Sequence, residues 1–337
     1  MKIVILTEGG RKIGFGHISR CLALYEAFQM LKVKAKIIVN GDNSIKKFLK
    51  NKNFKILNWL KHQDIANIIN NYDSVVIDSY LAGKKLLNKV SQRGVLAVYI
   101  DDNKRLNYPG GIVLNGNAYA GELNYPKRNG ITYLLGNKYT PLRKIFHGVA
   151  KKEIPASIKT IMITLGGSDI GDLTPKILRL LAQNYPGYEK NVIIGMGFKN
   201  ITQIKKEAGK RTKLFYSPAP EKIKKIMQQS DVAISSGGQT LYELARIGIP
   251  AIAISVADNQ MNNVKALKNY GVIVYAGRSS DKNILKGVSK GMDLVKSRKI
   301  RLRMSNEGIR LLDGNGALRV ALAIKEKTLA SAGFYNE

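Results

Sequence analysis

Short apolar runs recur along the chain and alternate with stretches of helical spacing. Residues 3–6 predict a strand, and residues 18–31 predict a helix because Leu22, Tyr25 and Phe28 fall on one face. Further strands are predicted at 35–39, 74–77, 96–100, 112–114 and 132–135, with helical patterns at 45–50 and 84–91. Repeated β-α alternation predicts a parallel sheet covered by helices on both faces.

The segment 141–155 interrupts this alternation with Pro141, Gly148 and Pro155, and we interpret it as a linker. Strands are then predicted at 160–165, 191–194, 213–215, 232–235, 251–254 and 273–275, and helices at 175–181, 240–246, 262–268 and from 285 to about 327. The fold class is therefore α/β, with two Rossmann-like domains (1–150 and 151–337, including a helical tail) facing across a cleft. A ligand is expected at the carboxyl ends of the strands.

The composition is consistent with two domains of an ordinary globular protein. The chain has 337 residues, 45% of them hydrophobic, and its single cysteine, Cys21, excludes a disulfide within the chain. The apolar run at the N-terminus is too short for a signal peptide, and no stretch approaches the ~20 apolar residues of a membrane helix. We expect a soluble cytoplasmic protein.

The formal charge of +31 is the unusual number, and it is spread evenly, with +15 in residues 1–150 and +16 in the remainder. Clusters such as Lys46-Lys47 and Lys205-Lys206 are typical of solvated helix faces. No basic tail or block indicates a specific nucleic-acid partner. Weak association with an anionic membrane surface stays open, as does the oligomeric state.

The loop between the first strand and the first helix contains Gly14-Phe15-Gly16-His17. Gly14 and Gly16 allow positive φ or a close approach of the backbone to a ligand. Ser19 stands where the third glycine of a dinucleotide fingerprint would be, which disfavours a nicotinamide enzyme, and we predict no cofactor.

His17 would lie in the first turn of this helix, where the helix dipole disfavours a positive charge on the ring. A neutral imidazole there can take a proton from water or a hydroxyl. The alternative is a histidine that only caps the loop. His62 and His147 have no comparable setting and are interpreted as structural or surface residues.

A second strand-to-helix loop contains Ser236, Gly237, Gly238, Thr240 and Glu243. Hydroxyls and glycines at a helix start form a phosphate cradle, and a carboxylate one turn later can accept both hydroxyls of a ribose. The alternative is helix capping by the serine and the acid, which does not explain the two glycines.

Two more loops of the second half carry candidate ligand groups. Asn259 and Gln260 follow the strand at 251–254, where they either bind a ligand or cap the next helix. Gly166, Gly167 and Ser168 open the second domain in a position equivalent to the first loop, and we expect them to contact the nucleotide.

Polar side chains also follow the strands of the first half, including Asp78, Tyr80 and Asn115. Asp101 and Asp102 form a pair that suggests a metal site, but adjacent residues of a strand point to opposite faces. Capping or hydrogen bonding is the better interpretation, and no metal is predicted.

Taken in order, these motifs resemble one family. The set is Gly14-Phe15-Gly16-His17, Arg20, Asp78-Ser79-Tyr80, Asp101-Asp102, Asn115, Gly136, Leu142-Arg143, Phe146, Gly166-Gly167-Ser168-Asp169, Gly237-Gly238, Thr240, Glu243 and Asp258-Asn259-Gln260. It is similar to the UDP-sugar hydrolases of pseudaminic acid biosynthesis and their spore-coat polysaccharide relatives, in the GT-B superfamily. The resemblance covers residues 3 to 260.

The resemblance implies hydrolysis of UDP-2,4-diacetamido-2,4,6-trideoxy-β-L-altropyranose to free sugar and UDP, with His17 as the base that activates water. The implied substrate-binding residues are Gly14, Gly16, Arg20, Asp78, Tyr80, Asn115, Asn259 and Gln260. The implied nucleotide-binding residues are Gly166, Gly167, Ser168, Ser236, Gly237, Gly238, Thr240 and Glu243. Gln239 departs from the small hydroxyl residue of many relatives, so the exact sugar stays open. The alternative activity is that of a GT-B glycosyltransferase, in which His17 deprotonates an acceptor hydroxyl.

Overall fold

The computed structural model describes residues 1–11, 13–61 and 65–333, the side chain of Ala332 excepted. The chain forms two compact units, Met1–Lys144 with Gly314–Glu337, and Ile145–Asp313. Each unit contains one parallel sheet and its own buried apolar core. The α/β fold class with two Rossmann-like domains is thereby confirmed.

Among the described residues up to Lys144, the first unit contains seven strands and three α-helices. The strands are β1 (Lys2–Gly9), β2 (Lys34–Gly41), β3 (Phe54–Ile56), β4 (Ser74–Asp78), β5 (Leu96–Ile100), β6 (Gly111–Asn115) and β7 (Ile131–Leu135), and the helices are α1 (Gly16–Met30), α2 (Ala66–Ile69) and α3 (Lys84–Ser91). The strand order is β3-β2-β1-β4-β5-β6-β7, and all neighbours are parallel. Ile3 and Ile5 pack on one face of the sheet, and Val4 and Leu6 pack on the other.

The second unit repeats this architecture with six strands. They are β8 (Thr160–Thr164), β9 (Glu189–Ile194), β10 (Thr212–Tyr216), β11 (Val232–Ser236), β12 (Ala251–Ser255) and β13 (Ile273–Arg278), and the helices are α4 (Leu173–Asn184), α5 (Ile201–Glu207), α6 (Pro220–Gln229), α7 (Thr240–Ile247), α8 (Met261–Asn269), α9 (Ile284–Lys296) and α10 (Arg298–Leu311). The order is β10-β9-β8-β11-β12-β13, again all parallel.

In both sheets the strand order reverses direction once, between β1 and β4 and between β8 and β11. In the first sheet Thr7 of β1 aligns with Asp78 of β4, and in the second Thr164 of β8 aligns with Ser235 of β11. Loops that leave adjacent strands in opposite directions open a crevice at the carboxyl edge, which is where such sheets bind ligands.

The last helix, α11 (Gly316–Gly333), belongs to the first unit. Its Ala317, Val320 and Ile324 are fully buried in the core that contains α1, and Thr328 Oγ1 lies 2.6 Å from Ser74 Oγ. This differs from the expected assignment of all residues 151–337 to the second domain. The amphipathic pattern predicts that the helix has a buried face, but the pattern does not specify which sheet covers that face.

The strands predicted from apolar runs are all present, with bounds that differ by a few residues. The pattern at 45–50 forms a short 3₁₀ turn, Asn43–Lys47, capped by Asp42 through a 2.8 Å bond from the Ser44 amide. The elements β3, α2, α5 and α6 are additional to the strands and helices that the sequence analysis delimited. β3 and α2 are short, with three and four residues. None of the described helices is long and apolar enough to cross a bilayer; peripheral membrane association stays a prediction.

Candidate functional site

The loop before α1 is closed on itself and leaves room beside the helix start. Gly10 and Gly14 exchange backbone hydrogen bonds of 3.0 and 2.8 Å, and both have positive φ, +145° and +94°. A side chain at Gly16, the first residue of α1, would meet no described atom within 4 Å. His17 therefore begins the helix next to open space, as the glycine spacing predicts.

The ring of His17 is anchored by Asp78, the last residue of β4. The distance from His17 Nδ1 to Asp78 Oδ1 is 2.6 Å, and the carboxylate is fully buried. When Nδ1 donates its proton to this carboxylate, Nε2 carries the lone pair that can accept a proton. The reversal between β1 and β4 thus gives a histidine with one defined basic nitrogen.

Arg20, one turn further along α1, is held between two carboxylates. Its Nε and Nη2 donate to the two oxygens of Asp78, at 2.6 Å each, and its Nη1 donates to both oxygens of Asp102, at 2.7 and 2.8 Å. Burial alone would raise the pKa of each carboxyl, but the Arg20 guanidinium holds the pKa of Asp78 and that of Asp102 below their usual range. Both acids are therefore ionised at neutral pH.

Glu8, at the carboxyl end of β1, is a further member of this cluster that the sequence analysis did not name. Its side chain is 2% exposed, and its Oε1 lies 4.0 Å from Nε2 of His17. Oε2 accepts a 2.7 Å bond from the Ser79 hydroxyl, and Oε1 accepts a 2.9 Å bond from the Tyr80 amide. An acid that ends a strand of the central pair, as Asp78 also does, was the available signal.

Tyr80 completes the surroundings of His17. Its ring packs edge-on against the imidazole with centroids 4.8 Å apart, and its hydroxyl donates to Asp102. Burial, and then the Asp102 charge, raises the pKa of the Tyr80 phenol, which stays protonated. The phenol can therefore act as a donor throughout the neutral range.

Asn115 is fully buried rather than open to a ligand. Its amide Nδ2 donates to the Asp102 carbonyl and to the Tyr125 hydroxyl, at 3.2 Å each, and its Oδ1 accepts from the Asn117 amide at 3.0 Å. Asn115 and Asp78, both expected to bind substrate, are thus found holding other groups of the first unit in position.

Asp101 and Asp102 both follow β5, and their side chains have different partners. Asp101 accepts the backbone amides of Asn103 and Arg105, at 3.1 and 3.2 Å, whereas Asp102 faces Arg20. Among the described residues, no group of three or more histidines, cysteines or acids is arranged to hold a metal ion. His62 lies outside the described residues, and His147 is half-buried in the second unit.

In the second unit, the loops after β8, β9 and β11 approach one another closely. Gly166 has a φ of +84°, and a side chain there would lie 3.3 Å from Ser236 Oγ. A Cβ on Gly195 would lie 2.5 Å from the carbonyl oxygen of Gly167. Only glycine fits this packing, which brings backbone groups of three loops together. Gly195 was not predicted, and Ser168, which was, is half-exposed here.

The predicted phosphate loop at Gly237 and Gly238 is held in place by hydrogen bonds with two side chains, those of Gln260 and Asn263. Oε1 of Gln260 accepts the amides of Gly237 and Val256, at 3.2 and 3.0 Å, and Asn263 donates to the Gly237 carbonyl at 2.7 Å. The carbonyl oxygen of Gln260 therefore accepts hydrogen bonds from the protein backbone. Gly238 is half-exposed, so its side of the loop is open to solvent.

The remaining predicted residues of this unit differ in exposure. Thr240 begins α7 and is half-exposed, and Asn259 is exposed. Glu243 is 5% exposed and lies one turn into α7. The hydroxyl and the amide are open to a ligand, whereas only a small part of the carboxylate side chain reaches solvent.

Two Rossmann-like units, each with its polar cluster or glycine loops at the strand reversal, define the GT-B architecture. Residues 160–307 match the sequence model of the Glycosyltransferase family 28 C-terminal domain. Among solved structures, MurG of Acinetobacter baumannii aligns over 97% of this chain and 100% of its own, with a TM-score of 0.64 and 16% identity. A UDP-GlcNAc 2-epimerase of Neisseria meningitidis bound to UDP-GlcNAc aligns over 97% and 100%, with a TM-score of 0.61 and 14% identity.

Curated proteins from several organisms are similar in sequence. An uncharacterized protein of Methanocaldococcus jannaschii, MJ1062, is 27% identical over 75% of this chain, and the match spans 55% of its length. The spore coat polysaccharide biosynthesis protein SpsG of Bacillus subtilis is 24% identical over 97% of this chain and 98% of its own. The UDP-2,4-diacetamido-2,4,6-trideoxy-beta-L-altropyranose hydrolase of Campylobacter jejuni is 24% identical over 80% and 97%. The resemblance inferred from the motifs is thereby confirmed.

Proposed function

We propose that this chain hydrolyses a UDP-linked diacetamido-trideoxyhexose to UDP and the free sugar, with His17 as the general base. The observation that carries the proposal is the 2.6 Å contact between His17 Nδ1 and Asp78, which leaves Nε2 as the basic nitrogen. The named activity of the Campylobacter jejuni relative, and the bound UDP-GlcNAc of the Neisseria meningitidis neighbour, support a UDP-sugar as substrate.

In the proposed reaction a water molecule attacks the anomeric carbon while Nε2 of His17 takes one of its protons. The bond from the anomeric carbon to the diphosphate oxygen breaks, and its electron pair leaves with UDP. Because Asp78 is ionised, it orients the ring and stabilises the imidazolium that forms. Attack opposite the leaving group would invert the configuration at the anomeric carbon.

The nucleotide is assigned to the second unit. Backbone amides of the loop at Gly237 and Gly238, at the start of α7, suit the diphosphate, whose negative charge grows as the bond breaks. Gly166, Gly167, Ser168, Ser236 and Thr240 complete the proposed cradle, and Glu243 would accept the ribose hydroxyls. This arrangement needs no cofactor.

The sugar is assigned to residues around His17. Gly14 and Gly16 leave open space beside the helix start, and Tyr80 borders it. Arg20, Asp78 and Asn115 act through other groups, because their polar atoms are engaged within the protein. Gln260 uses its carbonyl oxygen to accept the Gly237 amide.

The second candidate is transfer of the sugar onto an acceptor hydroxyl, which the match to the Glycosyltransferase family 28 domain favours. Incubating the protein with a panel of UDP-sugars and no acceptor separates the two activities. Equal amounts of UDP and free sugar, measured by mass spectrometry, support hydrolysis. Turnover that requires an added acceptor supports transfer and contradicts the proposal.

A further inference from the structure

Three buried carboxylates lie around His17 and Arg20, and they differ in their charge partners. Asp78 and Asp102 each form an ion pair with Arg20, at 2.6 and 2.7 Å. In residues 1–11, 13–61 and 65–333, the one cationic group within ion-pair distance of Glu8 is the His17 ring, at 4.0 Å. Glu8 is therefore a buried acid that forms no ion pair with any lysine or arginine among the described residues.

The position of Glu8 is fixed on the side of Nε2, the proposed basic nitrogen. Its backbone belongs to β1, and its two oxygens accept from the Ser79 hydroxyl and the Tyr80 amide. Both donors are neutral, so they stabilise an ionised carboxylate without cancelling its charge. At 2% exposure little water screens that charge from the imidazole.

We infer that Glu8 stabilises the imidazolium that His17 becomes when it takes the proton of water, and that Glu8 thereby sets the strength of this base. The inference rests on the proposed function. In the part of the chain that the structure describes, the titratable groups that face His17 are Glu8 from β1, Asp78 from the end of β4, Arg20 from α1 and Tyr80 from the segment after β4.

The charge balance of these groups assigns the effect to Glu8. Asp78, Asp102 and Glu8 carry three negative charges against the single Arg20 guanidinium, and Tyr80 is neutral, so the cluster keeps an excess of negative charge. Glu8 is the one of the three that makes no ion pair with Arg20. Glu8 is a positioning residue that accepts no proton. The proton stays on Nε2 until it returns to solvent.

Glu8→Gln keeps the size of the side chain and an oxygen for the Tyr80 amide, and it removes the charge. We expect kcat to fall on the order of 10- to 100-fold. The acid side of the pH profile of kcat/KM should move about one pH unit lower, because the ring stays unprotonated to lower pH when the carboxylate is gone. Ser79→Ala is the matched control: it removes the bond to Oε2 and keeps the charge, so its acid limb should not move.

A purely structural role for Glu8 predicts a different result. It lowers the rate at every pH and leaves the acid limb of the profile in place. An unshifted acid limb in Glu8→Gln, or an equal shift in Ser79→Ala, overturns the inference.

A readout without substrate separates this inference from the proposed function. Diethyl pyrocarbonate modifies only the unprotonated imidazole, and peptide mass spectrometry can follow His17 with His147 as an internal reference for folding. At about pH 6, His17 should react up to about tenfold faster in Glu8→Gln than in the wild type. If no UDP-sugar is cleaved but this acceleration is seen, the proposed function fails and the role of Glu8 stands. If UDP-sugar is cleaved and the rates of modification are equal, the role of Glu8 fails alone.

Discussion

Nδ1 of His17 lies 2.6 Å from Oδ1 of Asp78, so a helix start and a strand end meet in one hydrogen-bonded pair. They meet because β1 and β4 are adjacent although the chain between them passes through β2 and β3. The pair leaves Nε2 of His17 available to accept a proton.

Asp78→Asn removes the charge that orients His17 but keeps the shape of the side chain. We expect kcat for UDP release to fall on the order of 10²- to 10³-fold, because the amide neither fixes the tautomer nor stabilises the imidazolium. The dissociation constant of UDP, measured by calorimetry, should not change. Asp73→Asn, an exposed acid just before β4, is the control and should keep its activity. Normal turnover in Asp78→Asn would show that the hydrogen bond between His17 and Asp78 is not needed for catalysis.

The buried acids also predict how stability depends on pH. The Arg20 guanidinium holds the pKa of Asp102 below its usual range in the folded chain, whereas an unfolded aspartate titrates near about 3.9. The contribution of Asp102 is therefore present above that pH and is lost as the pH falls toward the lower folded value. Thermal unfolding at pH 7 and at about pH 3, below the unfolded value, should show a smaller difference in Tm for Asp102→Asn than for the wild type. Equal differences would contradict the coupling to Arg20.

The return of α11 to the first unit is tested at Gly316. A Cβ there would lie 2.2 Å from the carbonyl oxygen of Thr140, which is backbone and cannot easily move. Gly316→Ala should lower the free energy of unfolding of the first unit by about 1–3 kcal/mol, measured by urea denaturation. Gly333→Ala, on the same helix with no described atom within 4 Å, should have little effect. Similar stability in both variants would argue against this packing of α11.

The nucleotide loop is tested at Gly237. A Cβ there would lie 2.6 Å from Val264 Cγ1 and 3.1 Å from Gln260, so an alanine must displace the loop or α8. We expect Gly237→Ala to weaken UDP binding about tenfold, which corresponds to about 1.4 kcal/mol. Gly187→Ala, where no described atom lies within 4 Å, is the control and should bind UDP normally. Unchanged binding in Gly237→Ala would remove this loop from the proposed nucleotide site.

The sequence predicted the elements whose burial is strongest. Strands such as β4 and β12 are buried along their whole length. Their sequences are therefore largely apolar runs, and polar residues mark where each run begins and ends. His17 was found because glycine spacing and a strand-to-helix change coincide at one point. Such local signals are sufficient to predict the fold class and to locate the loops at the carboxyl ends of the strands.

Other features depend on contacts between distant parts of the chain. The shared pairing of Arg20 with Asp78 and Asp102 spans 58 and 82 residues, and the role of Asp78 as an anchor for His17 follows only from strand order. Glu8 was missed because it lies beyond the strand predicted at residues 3–6, and strand order is needed to bring it beside His17. The position of α11 was missed because helical periodicity does not identify the surface that a helix covers.

The source of the oxygen in the free sugar tests the central proposal most directly. The reaction is run with a UDP-diacetamido-trideoxyhexose in H₂¹⁸O without acceptor, and the ¹⁸O in the sugar and in UDP is followed over time by mass spectrometry for the wild type and His17→Ala. Attack on the anomeric carbon with His17 as the base predicts label in the sugar and none in UDP. It also predicts labelling slower by about two orders of magnitude in His17→Ala. Label in UDP, or equal rates in the two proteins, would contradict the account.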